Sequence, residues 1–264
     1  MTAGTSVTLS QITTQLDLGG AFSMPIISPE IGMPPPYRYR DTKVTNIAFK
    51  TDPAVLEKLI PPPLKPNLVQ PLVFYIGHFQ FADFELPYHE AGLLVPVMGE
   101  GKPAGLFAVV LYLDQPNPII GGREILGWPK KTAQQILYNE KRGKITASVL
   151  RYGRQLVTVS WEAKQKVTSI PARPKDTLYM LKMIPSAEKD APPDVLKLNS
   201  MVIDPDVIKE IRTGKATLEF GDSPFDDFLA KIPVREIVYS ETIVHDFTLG
   251  YGEVVVDYLA GGHV

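Results

Sequence analysis

From residue 37 onward the chain repeatedly alternates apolar and polar positions with a period of two, the pattern of half-buried β-strands. Residues 43–50 (KVTNIAFK), 144–151 (KITASVLR) and 156–164 (LVTVSWEAK) show it most clearly. Residues 72–83 and 92–97 read as extended, and 105–113 (GLFAVVLYL) is apolar enough to be buried on both faces. Residues 132–138, a turn at 139–143, the strand 144–151, a turn at 152–154 and the strand 156–164 make an antiparallel meander. Residues 236–247 and 252–259 (GEVVVDYL) complete the strand set. Helical signals are few. Asp52 is placed to cap a short helix over 53–59, Asp204 opens a helix over 204–212 that Gly214 stops, and a short helix is expected at 226–230.

This pattern predicts an α+β chain that is mainly antiparallel β. Its sheet should be strongly curled or closed, barrel-like, around an interior pocket, with a few helices at the periphery. Residues 1–36, rich in Thr, Ser, Gly and Pro, read as an N-terminal arm, and 37–264 as a single domain. The 25 prolines cluster in pairs and triplets and punctuate extended segments rather than long helices.

Composition narrows the chemistry. Cysteine is absent, so disulfides, thiolate catalysis and thiolate metal sites are all excluded. The four histidines show no metal-ligand spacing, and GEGKPAG at 99–105 lacks the spacing of a phosphate loop. A net charge of −2 gives no reason to expect nucleic acid or an anionic membrane as partner. The first basic residue is Arg38 and no apolar run approaches a membrane span, so a cytoplasmic protein without a secretion signal is expected. Amine and carboxylate chemistry remain.

The segment GREILGWPKK, residues 122–131, concentrates that chemistry. A lysine is nucleophilic at neutral pH only when its ammonium is destabilised, by burial or by a neighbouring cation. Ile125, Leu126, Trp128 and Pro129 supply an apolar wall, and Lys130 and Lys131 stand side by side. If 129–131 is extended, the two lysines point to opposite faces. Desolvation then outweighs repulsion by Lys131 in freeing the Lys130 amine.

GREILGWPKK resembles the signature of the acetoacetate decarboxylase family, whose lysine is a standard example of an amine activated in this way. Residues 88–97 (YHEAGLLVPV), 112–114 (YLD) and 232–259 (IPVREIVYSETIVHDFTLGYGEVVVDYL) are similar to family segments as well. The resemblance implies a Schiff-base lysine at Lys130, a proton relay or general acid at Glu90, and homo-oligomers. It implies a small keto-acid substrate and no metal or organic cofactor. Arg123, Glu124 and Lys131 are assigned to bracing the Lys130 loop, and Tyr112 and Trp128 to the pocket wall. The family's substrate-binding arginine falls on Thr42, and a second family carboxylate on Tyr75, which is assigned to substrate binding. Arg40, on the same face as Thr42 in an extended strand, is expected to substitute.

The implied reaction is decarboxylation of acetoacetate or a related β-keto acid through an imine on Lys130. An alternative keeps the imine and makes the protein an aldolase-dehydratase acting on pyruvate or another 2-keto acid plus an aldehyde. A third reading is a barrel that binds a small apolar ligand without catalysis.

Overall fold

Buried residues alternate along strand β1 (Tyr37–Lys50), but the alternation slips once. Tyr37 and Tyr39 face one side. At Asp41, whose φ is 53°, the register against the neighbouring strand shifts by a bulge. One extra residue in a two-residue period changes the parity of every position after it. Thr42, Val44 and Asn46 therefore continue the face begun by Tyr39, while Arg40 is turned to the other side.

The computed structural model describes residues 23–26, 28–168, 177–226 and 228–260. Among them the strands β2 (Leu64–Pro66), β3 (Leu72–Phe79), β4 (Phe81–Ala82), β5 (Tyr88–Gly99), β6 (Lys102–Leu113) and β7 (Lys130–Thr132) follow β1. Next come β8 (Gln135–Lys141), β9 (Lys144–Arg151), β10 (Arg154–Val167), β11 (Thr177–Ile184) and β12 (Val195–Val202). The last three are β13 (Pro205–Phe220), β14 (Glu236–Leu249) and β15 (Glu253–Asp257). All fifteen belong to one sheet, ordered β15-β12-β11-β6-β5-β3-β1-β14-β13-β10-β9-β8, with β2, β4 and β7 attached beside this path. Pairing is antiparallel except where β7 and β11 run parallel to β6.

The expectation of a mainly antiparallel sheet holds, and of the two forms expected, strongly curled or closed, the sheet takes the first. The path has two ends, β15 and β8, that do not pair, so the sheet is open. It folds over instead. Ala133, Ile136 and Val149, in and beside β8 and β9, pack in one core with Phe74 and Leu93 of β3 and β5. A second core on the other face of β1, β3 and β5 gathers Tyr39, Phe79, Tyr88, Leu111, Trp128 and Phe247. Fully buried side chains of this size contribute about 1.5–3 kcal/mol each. These two cores and a smaller third around Val97, Phe107, Tyr179 and Leu198 therefore carry the fold, and buried charges must be kept for some other reason.

The helical expectations need correction. Residues 204–212 are not a helix; 205–212 belong to β13. Two bulges against β14, between Pro205 and Val207 and between Ile208 and Glu210, break the two-residue alternation. The spacing of Val207, Ile208 and Ile211 then imitates a helical period. Where a helix was expected at 226–230, the described residues show a 3-10 turn at Leu229–Lys231. Helix α1 (Pro53–Leu56) is shorter than expected, and Asp52 does not cap it, since both its oxygens take hydrogen bonds from Arg235 at 2.9 and 2.6 Å. Helix α2 (Pro116–Gly121) has no counterpart in the sequence reading.

Most of the N-terminal arm lies outside the described residues. Its described end is anchored, with Ile31 only 1% exposed in the second core and Tyr37 Oη donating to the Met33 carbonyl at 3.0 Å. Among the described residues no helix is long and apolar enough to cross a membrane.

Candidate active site

The GREILGWPKK segment leaves β6 through α2, which passes into a wide π-turn over Gly122–Leu126. The Gly122 carbonyl accepts from the amides of both Gly127 and Trp128, at 2.8 and 2.9 Å. Carbonyls left free at the end of a helical turn need partners. Here Asn199 donates to that of Leu126 at 2.8 Å and Lys182 to that of Ile125 at 3.2 Å. The chain then crosses Trp128–Pro129 and enters β7 alongside β6.

That parallel pairing decides where the two lysines go. Leu111 stands opposite Lys130, and Tyr112 opposite Lys131. Successive side chains of a strand face opposite ways. Lys130 therefore enters the second core, and Lys131 goes to the other face of the sheet.

Lys130 and Glu90 are both buried, at 8% and 6% exposure, and Lys130 Nζ lies 3.0 Å from Glu90 Oε2. The other carboxylate oxygen accepts the hydroxyl of Tyr75. Burial, followed by the field of Glu90, raises the Tyr75 phenol well above its ordinary range, so it remains a donor. Tyr75 also depends on Gly92, because a Cβ there would stand 2.7 Å from its ring. Gly122 is constrained in the same way: a Cβ would meet Lys130 Cδ at 2.7 Å and Cε at 2.8 Å. The first residue of the signature thus clears the path of its lysine.

Lys130, Glu90 and Tyr75 open onto a cavity of about 230 Å³. Its walls are aromatic and aliphatic, with Tyr39, Phe79, Tyr88, Leu94, Trp128 and Phe247 prominent. Asn46 and His245 add polar groups from β1 and β14. Among the lining residues Lys130 is the one cation and Glu90 the one anion. Among the described residues no three His, Cys, Asp or Glu side chains are grouped to hold a metal.

On the far face Lys131 Nζ reaches Asp226 Oδ1 and Oδ2 at 3.0 and 3.1 Å. Tyr112 Oη donates to the same carboxylate at 3.2 Å, and Arg151 Nε stands 3.1 Å from it. Tyr112, expected in the pocket, is thus buried in the opposite core. Arg40, expected as a stand-in for the family arginine, is also outside the cavity. Its guanidinium meets the carbonyls of Tyr39 and Phe247 and the carboxylate of Asp206. The bulge at Asp41 removes the shared face that the expectation assumed. Arg123 Nη1 donates to the Lys130 carbonyl at 3.1 Å, whereas Glu124 lies in the electrostatic reach of Lys182. Sequence reading missed His245, although alternate positions 245, 247 and 249 of one strand must share a face. Asp226 was read only as the start of a helix.

The fold and the site together define a class of protein: an open, folded-over antiparallel sheet whose inner face holds a buried lysine–glutamate pair in an apolar cavity. The chain belongs to the acetoacetate decarboxylase family. The family's sequence profile, described as Acetoacetate decarboxylase (ADC), matches residues 23–259. The acetoacetate decarboxylase of Burkholderia multivorans is 37% identical over 246 residues, which cover 91% of this chain and 96% of that protein. The crystal structure of acetoacetate decarboxylase from Legionella pneumophila superposes with a TM-score of 0.80 at 25% identity, covering 98% of this chain and all of that one. Another acetoacetate decarboxylase structure gives 0.81 at 27% identity, covering 92% of this chain and 98% of that one.

Proposed function

We propose that the protein is a carboxy-lyase that decarboxylates acetoacetate or a related β-keto acid through a Schiff base on Lys130. The observation that carries this reading is the buried contact of 3.0 Å between Lys130 Nζ and Glu90 Oε2 at the end of an apolar cavity. Lys130 and Glu90 are both largely removed from water, and a buried ion pair gains little over its neutral form because both charges have lost most of their hydration. One proton passing from Lys130 to Glu90 leaves a free amine and a carboxylic acid, and costs no separated charge.

The amine attacks the substrate ketone, and loss of water, with one proton taken up from solvent, gives a protonated imine. The bond between the α-carbon and the carboxylate then breaks. Its electron pair moves through the new carbon–carbon double bond to the imine nitrogen, and carbon dioxide leaves. Glu90 returns its proton to the α-carbon of the enamine, directly or through water, and hydrolysis frees the ketone and the lysine. Tyr75, held as a donor, fixes the carboxyl group during both transfers. The apolar walls favour the step that removes the carboxylate charge. Trp128 closes the cavity beside Lys130, and Lys131 and Arg123 hold the loop from behind.

A homo-oligomer is part of this proposal, and size-exclusion chromatography with light scattering tests it. The catalytic proposal is tested by carbon dioxide release from acetoacetate. Wild type should release one equivalent per molecule of acetone formed, and Lys130→Ala should be inactive. A Lys130→Ala protein as active as wild type would refute it.

A further inference from the structure

One wall of the cavity is a row of four aromatic rings, one from each of four neighbouring strands. Tyr88 of β5 stacks on Phe79 of β3 with ring centroids 4.7 Å apart, and Phe79 meets Tyr39 of β1 edge-on at 5.9 Å. Tyr39 stacks in turn on Phe247 of β14 at 4.4 Å. All four line the cavity and are otherwise buried. The strands are consecutive in the sheet, so the row crosses three strand spacings of roughly 4.8 Å each. It starts beside Glu90, which follows Tyr88 by two residues on β5. A four-carbon chain, with bonds of about 1.5 Å, covers about one of these spacings. Leu178, Ile203 and Leu249 add aliphatic surface to the same cavity, and each is only partly buried.

Polar groups gather near Lys130. Glu90 meets both Lys130 and Tyr75, and Asn46, the cross-strand partner of Tyr75, donates to Glu241 at 3.4 Å. His245 lies away from them on β14, and burial lowers it to about 4, so its ring is uncharged near pH 7. Lys130 is the one cation among the lining residues, and Arg40 stands outside the cavity on Asp206. A substrate bound here therefore finds no ion pair except at the reacting lysine. The binding energy that orients the reacting carbons must come from the unreactive remainder of the molecule. An apolar wall stabilises apolar surface, and acetoacetate offers it one methyl group.

We propose that the preferred substrates are 3-oxo acids of about six to eight carbons whose unbranched apolar tail lies along the row of rings while the ketone meets Lys130. The inference rests on the reading of Lys130 as the imine-forming residue. The tail takes the place of the methyl group on the side of the ketone away from the carboxylate, so the steps at Lys130 are unchanged. A second carboxylate at the end of the tail is a poor fit, because it would be buried without a partner. Each ring is held by the next, so the wall is formed before the tail arrives and binding orders only the ligand.

The test compares acetoacetate, 3-oxohexanoate and 3-oxooctanoate by kcat/KM for carbon dioxide release, in wild type, Val44→Phe and Ile203→Trp. Both substitutions add bulk to the cavity wall. In wild type kcat/KM should rise with chain length and reach about tenfold or more over acetoacetate for 3-oxooctanoate. Loss of most of that rise in either variant would support the tail site. Because the rise is a ratio within one preparation, partial misfolding cancels. Binding of 2-heptanone and acetone, the ketones left by the longest and shortest acids, is measured on wild type by calorimetry. Acetoacetate turned over as well as or better than the longer acids, or an undiminished rise in both variants, would overturn the tail site alone. No turnover of any acid, with 2-heptanone bound about tenfold or more tighter than acetone, would overturn the imine reading and support the tail site. No turnover with the two ketones bound equally would overturn both.

Discussion

Lys131 holds Asp226 at 3.0 and 3.1 Å on the face of the sheet opposite the one that Lys130 enters. Adjacent in sequence, the two lysines serve different cores. Repulsion by Lys131 is therefore a weak means of activating Lys130, since the charge of Lys131 is already met by a carboxylate.

Lys131→Ala should accordingly cost stability more than chemistry. Asp226 is almost wholly buried and would keep only Arg151 as a cation. A loss of about 1–3 kcal/mol is expected, less than for breaking an isolated buried pair because Arg151 remains. Urea denaturation measures it, and the yield of trapped Schiff base should stay within about threefold of wild type. A collapse of trapping in a protein of unchanged stability would show that Lys131 acts on Lys130 after all.

Gly122→Ala should do the reverse. The added methyl would fall on the Lys130 side chain, and overpacking of this kind costs about 1–3 kcal/mol unless the neighbour moves. The movable neighbour is the lysine itself. Turnover should fall at least tenfold while the melting temperature changes little, and a variant with full activity would contradict the tight passage.

Tyr75→Phe removes the donor that holds Glu90 Oε1. If Tyr75 positions the acid rather than binding substrate, kcat should fall about tenfold with little change in KM. A rise in KM at constant kcat would place Tyr75 in substrate binding instead.

His245 makes acid stability predictable in sign. Its folded value, about 4, lies below the ordinary histidine value of 6.5 because burial disfavours the charged ring. The unfolded chain then binds a proton over a range where the folded chain does not. Stability is whole above pH 6.5 and is lost as pH falls towards 4, by about 3 kcal/mol at most for this group. His78, lowered in the same direction by burial and by His89, adds to the loss. In His245→Phe the drop in unfolding free energy between pH 7 and pH 4.5 should be clearly smaller than in wild type. Equal drops would refute the assignment.

That Lys130 and Glu90 belong to one site was legible because both residues sit in segments whose order and flanking strands carry the family pattern; their direct contact was not. The opposite facing of Lys130 and Lys131 followed from strand geometry alone. Tyr112 was misplaced because β6 is apolar on both faces, so alternation gives no clue to which side faces the cavity. Arg40 was misplaced by one bulge, and its only sequence mark is an aspartate, Asp41, that tolerates a left-handed backbone. The helix expected at 204–212 failed for a related reason: two bulges against β14 produced a helix-like spacing in a strand. Bulges arise from pairing with partners distant in sequence, which local patterns do not record.

The central claim is that Lys130 forms the imine. Borohydride reduction in the presence of acetoacetate, followed by peptide mass mapping, tests it most directly. The account predicts one adduct, on Lys130, with the mass of the reduced imine after loss of carbon dioxide. An adduct on Lys130 that keeps the carboxylate would contradict decarboxylation and turn the chemistry towards aldol-type reactions. An adduct on another lysine, or none in a folded and ligand-competent protein, would contradict the imine itself.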